Sequence, residues 1–457
     1  EAWRRLGDVY YESRLIRDAV LAKTGQRFLD GQNSDEAQFR HLMDNGLSAR
    51  DSLQLSVGVG LTAQQVAALT HDIVWMEKRQ VQGEDVLVPV LYLATVNHQN
   101  LRGASLVQGQ DINLVSGGDI VSVGTLRATQ DLTAMADGSL LNGGSMTVGE
   151  RLSLLATDSI RNAMAGEIRA SHVDLTSLTG DIVNERTAHA QYQGDGTLIT
   201  HLDHASQISA GQQLALDAGR DINNRGAISS GGDASLTAAR DINLIAVTDT
   251  QQVRTTQNGG HLVTQHSRTE HLGANVNAAG NLSLQAGGDI TLLASQANAG
   301  KDLSVAAGGN INLLAAANET DHEVHSKRNG AKTHEQTTQV RQIGSQLNAA
   351  GNLTATAGQD ILLHASQVTS GKDAYLIAGG QLELLSANDS DYSLYDNKKT
   401  GRCGASKTQR DEVTDVRAVG SQISTGGSLN LVSGGDQLYQ GARLESGADI
   451  TISSGGA

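Results

Sequence analysis

Between Gly280 and Leu314 the chain says one phrase twice, GNLSLQAGGDITLL and then KDLSVAAGGNINLL. Leu282 recurs as Leu303 and Ile290 as Ile311, both 21 residues on. Each phrase holds two short stretches of period-two alternation, separated by an Ala-Gly-Gly turn. The beat continues elsewhere. Leu132 and Leu152 are 20 apart, as are Leu140 and Ile160, and Asp221-Ile222 and Asp241-Ile242. A period of 20–22 residues with strand-like alternation inside it is a solenoid signature. The leucine-rich frame L-x-x-L-x-L-x-x-N is missing, which excludes the horseshoe of similar repeat length.

Coils with two or three short strands cannot each close a core. Stacked at about 4.8 Å, they pair every backbone group with the coil above and below. The expected fold is therefore mainly β, a right-handed parallel β-helix, the hand being that of parallel crossovers. Leu, Ile and Val should point inward in columns, and Thr, Ser, Asn and Gln outward. Roughly 13 coils would make a shaft about 60 Å long. Composition agrees with a thin core. Aromatics are 3%, and there are 52 glycines against a single proline, Pro89.

The repeat is expected to occupy residues 101–457, with polar excursions at 247–274, 318–342 and 387–419. Matching Leu214, Leu282, Leu353 and Leu429 give a larger unit of coil, coil, excursion. Residues 1–100 read differently. A helix should carry Ile16 and Val20 and end at Thr24-Gly25. A second starts at Ser34 and stops at Gly46. Thr62 with Gln65 makes a capping box, and Leu61 with Val66 a hydrophobic staple, for a third reaching about Thr70. Ile73–Met76 and Val86–Leu93 read as a β-hairpin that introduces the repeats. This segment is expected to cap one end of the shaft.

Net charge is −15, and no basic stripe is present, so nucleic acid is not an expected partner. No run approaches the length of a transmembrane helix. Cys403 stands alone in a Gly-Arg-Cys-Gly turn, so there is no disulfide framework and no case for a nucleophile. The chain lacks an initiator Met and stops mid-phrase, and it reads as a piece of a longer protein.

The acids before Ile (Asp119, Asp221, Asp241, Asp289 and Asp360) lack the spacing of a calcium β-roll. Asn310 and Gln381 replace them at equivalent places, so an Asx-type turn into the next strand is the better reading. Histidines gather at His201/His204, His261/His266/His271 and His322/His325. The two H-x-x-H pairs are metal-like in spacing, yet residues i and i+3 of a strand face opposite ways. They are read as surface residues. The Gly-Gly-Asp-Ile turns are not phosphate loops, because no helix and no Lys-Ser/Thr follows. The coil faces lack the clustered Asp, Lys, Arg and aromatics of a polysaccharide-cleaving β-helix, a weak alternative. No catalytic, cofactor-binding or metal-binding residue is therefore assigned.

The stretch AGNLSLQAGGDITLLASQANAGKDLSVAAGGNINLLAA resembles the hemagglutinin repeats of filamentous hemagglutinin and of contact-dependent growth inhibition exoproteins. The segments YYESRLIRDAVLAKTGQRFLDG, LTAQQVAALTHDIVWME and VLVPVLYLA resemble the part that introduces the second, downstream repeat region of those exoproteins. The resemblance implies a non-catalytic shaft of a large bacterial exoprotein, exported through an outer-membrane two-partner-secretion transporter. Such a shaft would help carry a C-terminal toxin domain across the target-cell outer membrane, engaging that membrane or a surface receptor. It would be secreted, at the cell surface, or held in the periplasm before delivery. The alternative within the family is an adhesin filament, a virulence factor that binds host or bacterial surfaces. No cofactor is implied.

Overall fold

The structure, a computed structural model, describes residues 4–24, 27–81, 84–94, 106–192, 196–401 and 404–456. From Leu106 onward the chain winds into a β-helix with three parallel faces. In one coil the first face is Asn275–Ala278, the second Leu282–Ala286 and the third Ile290–Leu293. The first and second faces form one 22-stranded sheet, and the third an 11-stranded sheet. At 4.8 Å per strand, the third face is about 50 Å long.

The 21-residue beat is the pairing register. Leu282 pairs Leu303, and Ile290 pairs Ile311. One column of the second face runs Leu214, Ala234, Leu282, Leu303, Leu353, Ala374, Leu429, Ile450. The column is buried until its last member, Ile450, which is 44% exposed. Burying one Leu or Ile stabilises by roughly 2 kcal/mol, and the stack supplies the same contact at every level.

Two expectations about polar residues change. Asn142, Asn162, Asn184 and Asn224 point inward, not outward, and are fully buried. So are Ser295, Ser345, Ser366 and Ser421. Both sets sit where the chain leaves the third face. Their side chains bond the backbone of the corner: Asn162 Nδ2 donates to Gly166 O, and Ser345 Oγ accepts from Ser295 N. The recurrent acids also differ from Asx turns. Asp289 Oδ1 accepts the backbone N–H of Asn310, one coil on, at 2.7 Å. Asn310 Oδ1 accepts that of Asp360, and Asp360 Oδ1 that of Gln381. This explains the preceding glycine. A Cβ on Gly309 would lie 2.2 Å from Asp289 Oδ1, so only glycine leaves room for the carboxylate below.

The N-terminal part has three helices. Helix α1 (Val9–Thr24) buries Ile16 and Val20; Gly25, its expected cap, lies outside the described residues. Helix α2 (Asp35–Leu53) starts at Ser34, whose side chain accepts from Ala37 N. It continues through Gly46 instead of stopping there. That glycine is a packing device, since a Cβ would lie 2.5 Å from Val74 O. Helix α3 (Ala63–Ala67) has the Thr62–Gln65 capping box but ends short of Thr70. Strands β1 (Ile73–Val81) and β2 (Glu84–Tyr92) pair antiparallel, with Met76 opposite Pro89.

Helix α1 lies along the flank of the shaft. Its last turn, Leu21–Thr24, faces Thr125, Arg127 and Ser145 of the first face across a cleft of about 370 Å³. Earlier in the helix, Arg14 donates to Gln191 at 2.6 Å, and Tyr10 meets His201 edge-on at 5.8 Å between ring centroids. None of the described helices is long and apolar enough to cross a membrane.

Candidate functional site: a sheet built from the excursions

Four hairpins leave the shaft at the corner between its third and first faces. Their strands are Ala188–Tyr192 with Leu198–Leu202, Val247–Gln257 with Leu262–Leu272, Ala316–Arg328 with Ala331–Ile343, and Ala387–Thr400 with Ser406–Val419. The hairpin at 188–202 was not anticipated. Together the hairpins form one 8-stranded antiparallel sheet. Leu198 pairs Gln252, Leu262 pairs Ser326, and Ala331 pairs Lys399, so each hairpin bonds to the next along the shaft. Among the described residues no strand pairs with the outer edge of the last strand, Ser406–Val419, which is exposed almost throughout. Its alternating charges, including Lys407, Arg410, Glu412 and Arg417, are the usual defence of such an edge against stray pairing.

Alternation puts every second residue on one face, and register lines them up across strands. Near the hairpin tips, Lys327, Lys332 and Lys398 form one row. The next row toward the shaft is His325, His334, Asp396 and Arg410. Below it lie Glu323, Gln336, Leu394 and Glu412. Deeper still, Asp321 Oδ1 accepts from Gln336 Nε2 at 3.0 Å and from Thr338 Oγ1. Ion pairs with Arg410 and Arg341 hold Glu412 and Asp391 below the usual carboxylate range.

The sheet separates most of the histidines grouped by sequence. His322 and His325 face opposite ways, and His322 instead lies 6.0 Å from His266, centroid to centroid. His201 is buried beside Tyr10, its Nε2 without a partner among the described residues. Burial first, and then Arg14, lower its pKa from 6.5 to about 4. Cys403 lies outside the described residues. One cluster that sequence reasoning passed over comes together. His325 and His334 are directly opposite, their rings stacked at 4.1 Å and 14°. Each Nε2 lies 2.8 Å from Glu323 Oε1. Among the described residues, this is the one group of three or more side chains placed to hold a metal ion. Its signal was present in the sequence. Asn329 and Gly330 both have positive φ, 49° and 75°, as a two-residue primed turn requires, and that turn alone fixes His325 opposite His334.

The comparisons with known proteins agree with this architecture. The hemagglutinin repeat family matches residues 94–260, 255–332 and 326–457. The deoxyribonuclease CdiA of Dickeya dadantii is 36% identical over 97% of the chain, which covers 13% of that protein. The 16S rRNA endonuclease CdiA of Enterobacter cloacae is 31% identical over 99% of the chain and 14% of its own length. A tRNA nuclease CdiA of Escherichia coli is 32% identical over 98% of the chain and 17% of its own length. The chain thus spans about one seventh of these curated relatives. No solved structure shows significant similarity to it. A three-faced β-helix of 21-residue coils, matched by the repeat family along nearly its whole shaft, places this chain in the hemagglutinin repeat family, in a region homologous to CdiA toxins.

Proposed function

We propose that the chain is the downstream repeat region of a contact-dependent growth inhibition exoprotein, a non-catalytic shaft that helps deliver a C-terminal toxin across the target-cell outer membrane. The observation that carries this reading is the similarity to three CdiA proteins over 97% or more of the chain, N-terminal helices included. The nucleases named in those relatives differ while this region persists, which suits a common delivery part with exchangeable activity. Residues 1–100 act as the unit that introduces the repeats, and residues 101–457 as shaft with excursions. No residue of this chain is assigned a catalytic or cofactor-binding role.

The shaft's columns face inward, so recognition falls to the hairpin sheet, which presents rows of Lys, His, Asp and Glu to solvent. Its partners would be the target-cell outer membrane or a receptor in it. The outer-membrane two-partner-secretion transporter serves export, and the protein is secreted and surface-exposed.

The test removes one larger unit, Gly273–Ile343, from the full-length exoprotein, joining Leu272 to Gly344 at equivalent corners. Export and attachment to target cells should persist, while toxin activity inside those cells falls to background. Undiminished killing overturns the delivery role. Loss of attachment alone, with killing intact in the cells still bound, replaces it with the adhesin reading.

A further inference from the structure

The cluster at Glu323, His325 and His334 lies outside the sequence-based reading, which assigned no metal ligand. Three features mark it as more than a surface coincidence. First, the donors come from two paired strands of one hairpin, not from loops. The primed turn at Asn329-Gly330 sets one histidine opposite the other, and strand alternation sets Glu323 on the same face two residues from His325. Second, the donor atoms already converge. Both Nε2 atoms are 2.8 Å from the same carboxylate oxygen, and all three lie within 4.8 Å of one another. A tetrahedral ion with bonds of about 2.0–2.1 Å needs its donors roughly 3.3 Å apart, so small side-chain rotations suffice. Third, the cluster opens onto a cleft of about 270 Å³, which Asp396 also lines and in which a solvent molecule could complete the shell.

We infer that Glu323, His325 and His334 form a binding site for a divalent transition-metal ion of the zinc class, held by two imidazole nitrogens and one carboxylate oxygen with a fourth position open. The surrounding charges discriminate between ions. Lys327, Lys332 and Lys398 line the same cleft and repel a cation held by charge alone, as calcium or magnesium would be. Imidazole donors favour zinc, copper or nickel instead. With no ion bound, each Nε2 lies within hydrogen-bond distance of Glu323 Oε1; to bind the ion, each Nε2 must present its lone pair. The ion would tie the two strands together near their tip, where Lys327 and Lys332 otherwise face each other directly.

Zinc is titrated into the whole chain against a chromophoric chelator, and cobalt is added separately to read coordination from its visible spectrum. Wild-type protein should take up one equivalent with micromolar or tighter affinity, and cobalt should give the intense bands of a four-coordinate site. His325→Ala and His334→Ala should each raise the dissociation constant by on the order of 100-fold, and Glu323→Gln, which keeps the side chain's shape, by roughly tenfold. His322→Ala, on the opposite face, should leave binding unchanged and so separates this site from the rest of the chain's 14 histidines. Hydrogen exchange of residues 316–343 without metal shows that each variant's hairpin remains folded. Absence of stoichiometric binding in the wild type overturns the assignment. Equal binding by His334→Ala, or a loss in His322→Ala of the same size, does so too.

Discussion

The shaft turns its third corner in two different ways, and the change falls between one coil and the next. From Leu140–Asn142 to Ile222–Asn224 the third-face strand ends in an inward asparagine, and from Ile242–Ile245 to Leu382–Leu385 the same register position is leucine. In the first part the amides form a ladder. Asn142, Asn162 and Asn184 each donate to the Oδ1 of the next asparagine at 2.8–3.0 Å and also to backbone carbonyls of the corner. In the second part Leu244, Leu292 and Leu313 fill that space, and the polar work passes to serine just beyond. Ser345 Oγ accepts from Ser295 N at 3.2 Å and donates to Leu314 O at 2.7 Å. Ser421 Oγ likewise accepts from Ser366 N and donates to Leu385 O.

Both arrangements reach across the base of an excursion: in the ladder, Asn184 Nδ2 donates to Ser206 O at 3.0 Å, across the hairpin at 188–202, and in the second part the hydroxyls do so. Leu314 and Ser345 lie on either side of the hairpin 316–343, and Leu385 and Ser421 on either side of 387–419, so each hydroxyl clasps the base of an excursion. In the first part, the equivalent Ser206 is buried, its hydroxyl without a partner among the described residues, and its hairpin is the short one at 188–202. That hairpin leans on α1 through Arg14 and Tyr10. Two of the three long hairpins carry the hydroxyl clasp; the third, at 247–272, has Ala274 in the serine's place and instead pairs with a neighbouring hairpin on each side.

The largest expected effect comes from converting one corner into the other. Asn162→Leu places the second part's residue in the first part's ladder. It leaves the Gly166 and Gln207 carbonyls and the Asn184 Oδ1 without their amide donor in a buried site. The cost should be about 3 kcal/mol, since each orphaned buried group is worth ~1–3 kcal/mol. It should appear as faster hydrogen exchange centred on residues 160–184 and spreading to adjacent coils. Exchange slowed or unchanged would mean that the two corners are interchangeable and the comparison empty.

Ser345→Ala should cost less, about 2 kcal/mol, because one hydroxyl is removed and only two backbone groups lose it. The loss should concentrate at the hairpin base, in Ala316–Asn318 and Arg341–Ile343. Ser295→Ala makes the same chemical change in a coil with no hairpin, where Oγ donates to Leu293 O within the corner and accepts from Ala274 N. It should lower coil protection equally but leave exchange of the hairpin at 316–343 alone. Equal hairpin release in both variants would remove the clasp from the comparison.

Legibility in the sequence divides along the same lines. The coil register was readable because the inward columns are apolar and repeat at 20–22 residues, as Leu282 to Leu303 shows. The ladders were not, because a rule that sends polar residues outward gives Asn162 and Ser345 to solvent. Their recurrence was visible, but their direction depends on corner geometry that only stacking fixes. The hairpin at 188–202 escaped because its strands are five residues each and contain Leu198 and Ile199, which read as another coil. Assembly of the hairpins into one sheet depends on pairings such as Leu262 with Ser326, which no local pattern encodes. The metal cluster was partly legible. Asn329-Gly330 names the centre of the hairpin, and counting outward pairs His325 with His334.

The smallest effect is a pH dependence confined to the hairpin that leans on α1. His201 there is buried beside Tyr10, with Arg14, Arg17 and His189 opposing its charge and Asp8 weakly favouring it. Its pKa falls from 6.5 to about 4 on folding. Above pH 6.5 both states are neutral at this ring, and nothing is lost. As pH falls toward 4 the unfolded ring takes a proton that the folded ring refuses, so stability declines through that window and then levels. Burial pushes Asp18 and Asp203 up, and these act in the opposite sense, because the folded state then binds their protons first. Comparing wild type with His201→Leu isolates the ring. The variant should remove a pH-dependent loss on the order of 1–2 kcal/mol in protection of residues 188–202, leaving the serine-clasped hairpin at 387–419 unaffected by the substitution. A wild-type hairpin at 188–202 as protected at pH 4.5 as at pH 7, relative to the variant, would show that α1 holds it without that ring and that the outside support lies in Arg14 alone.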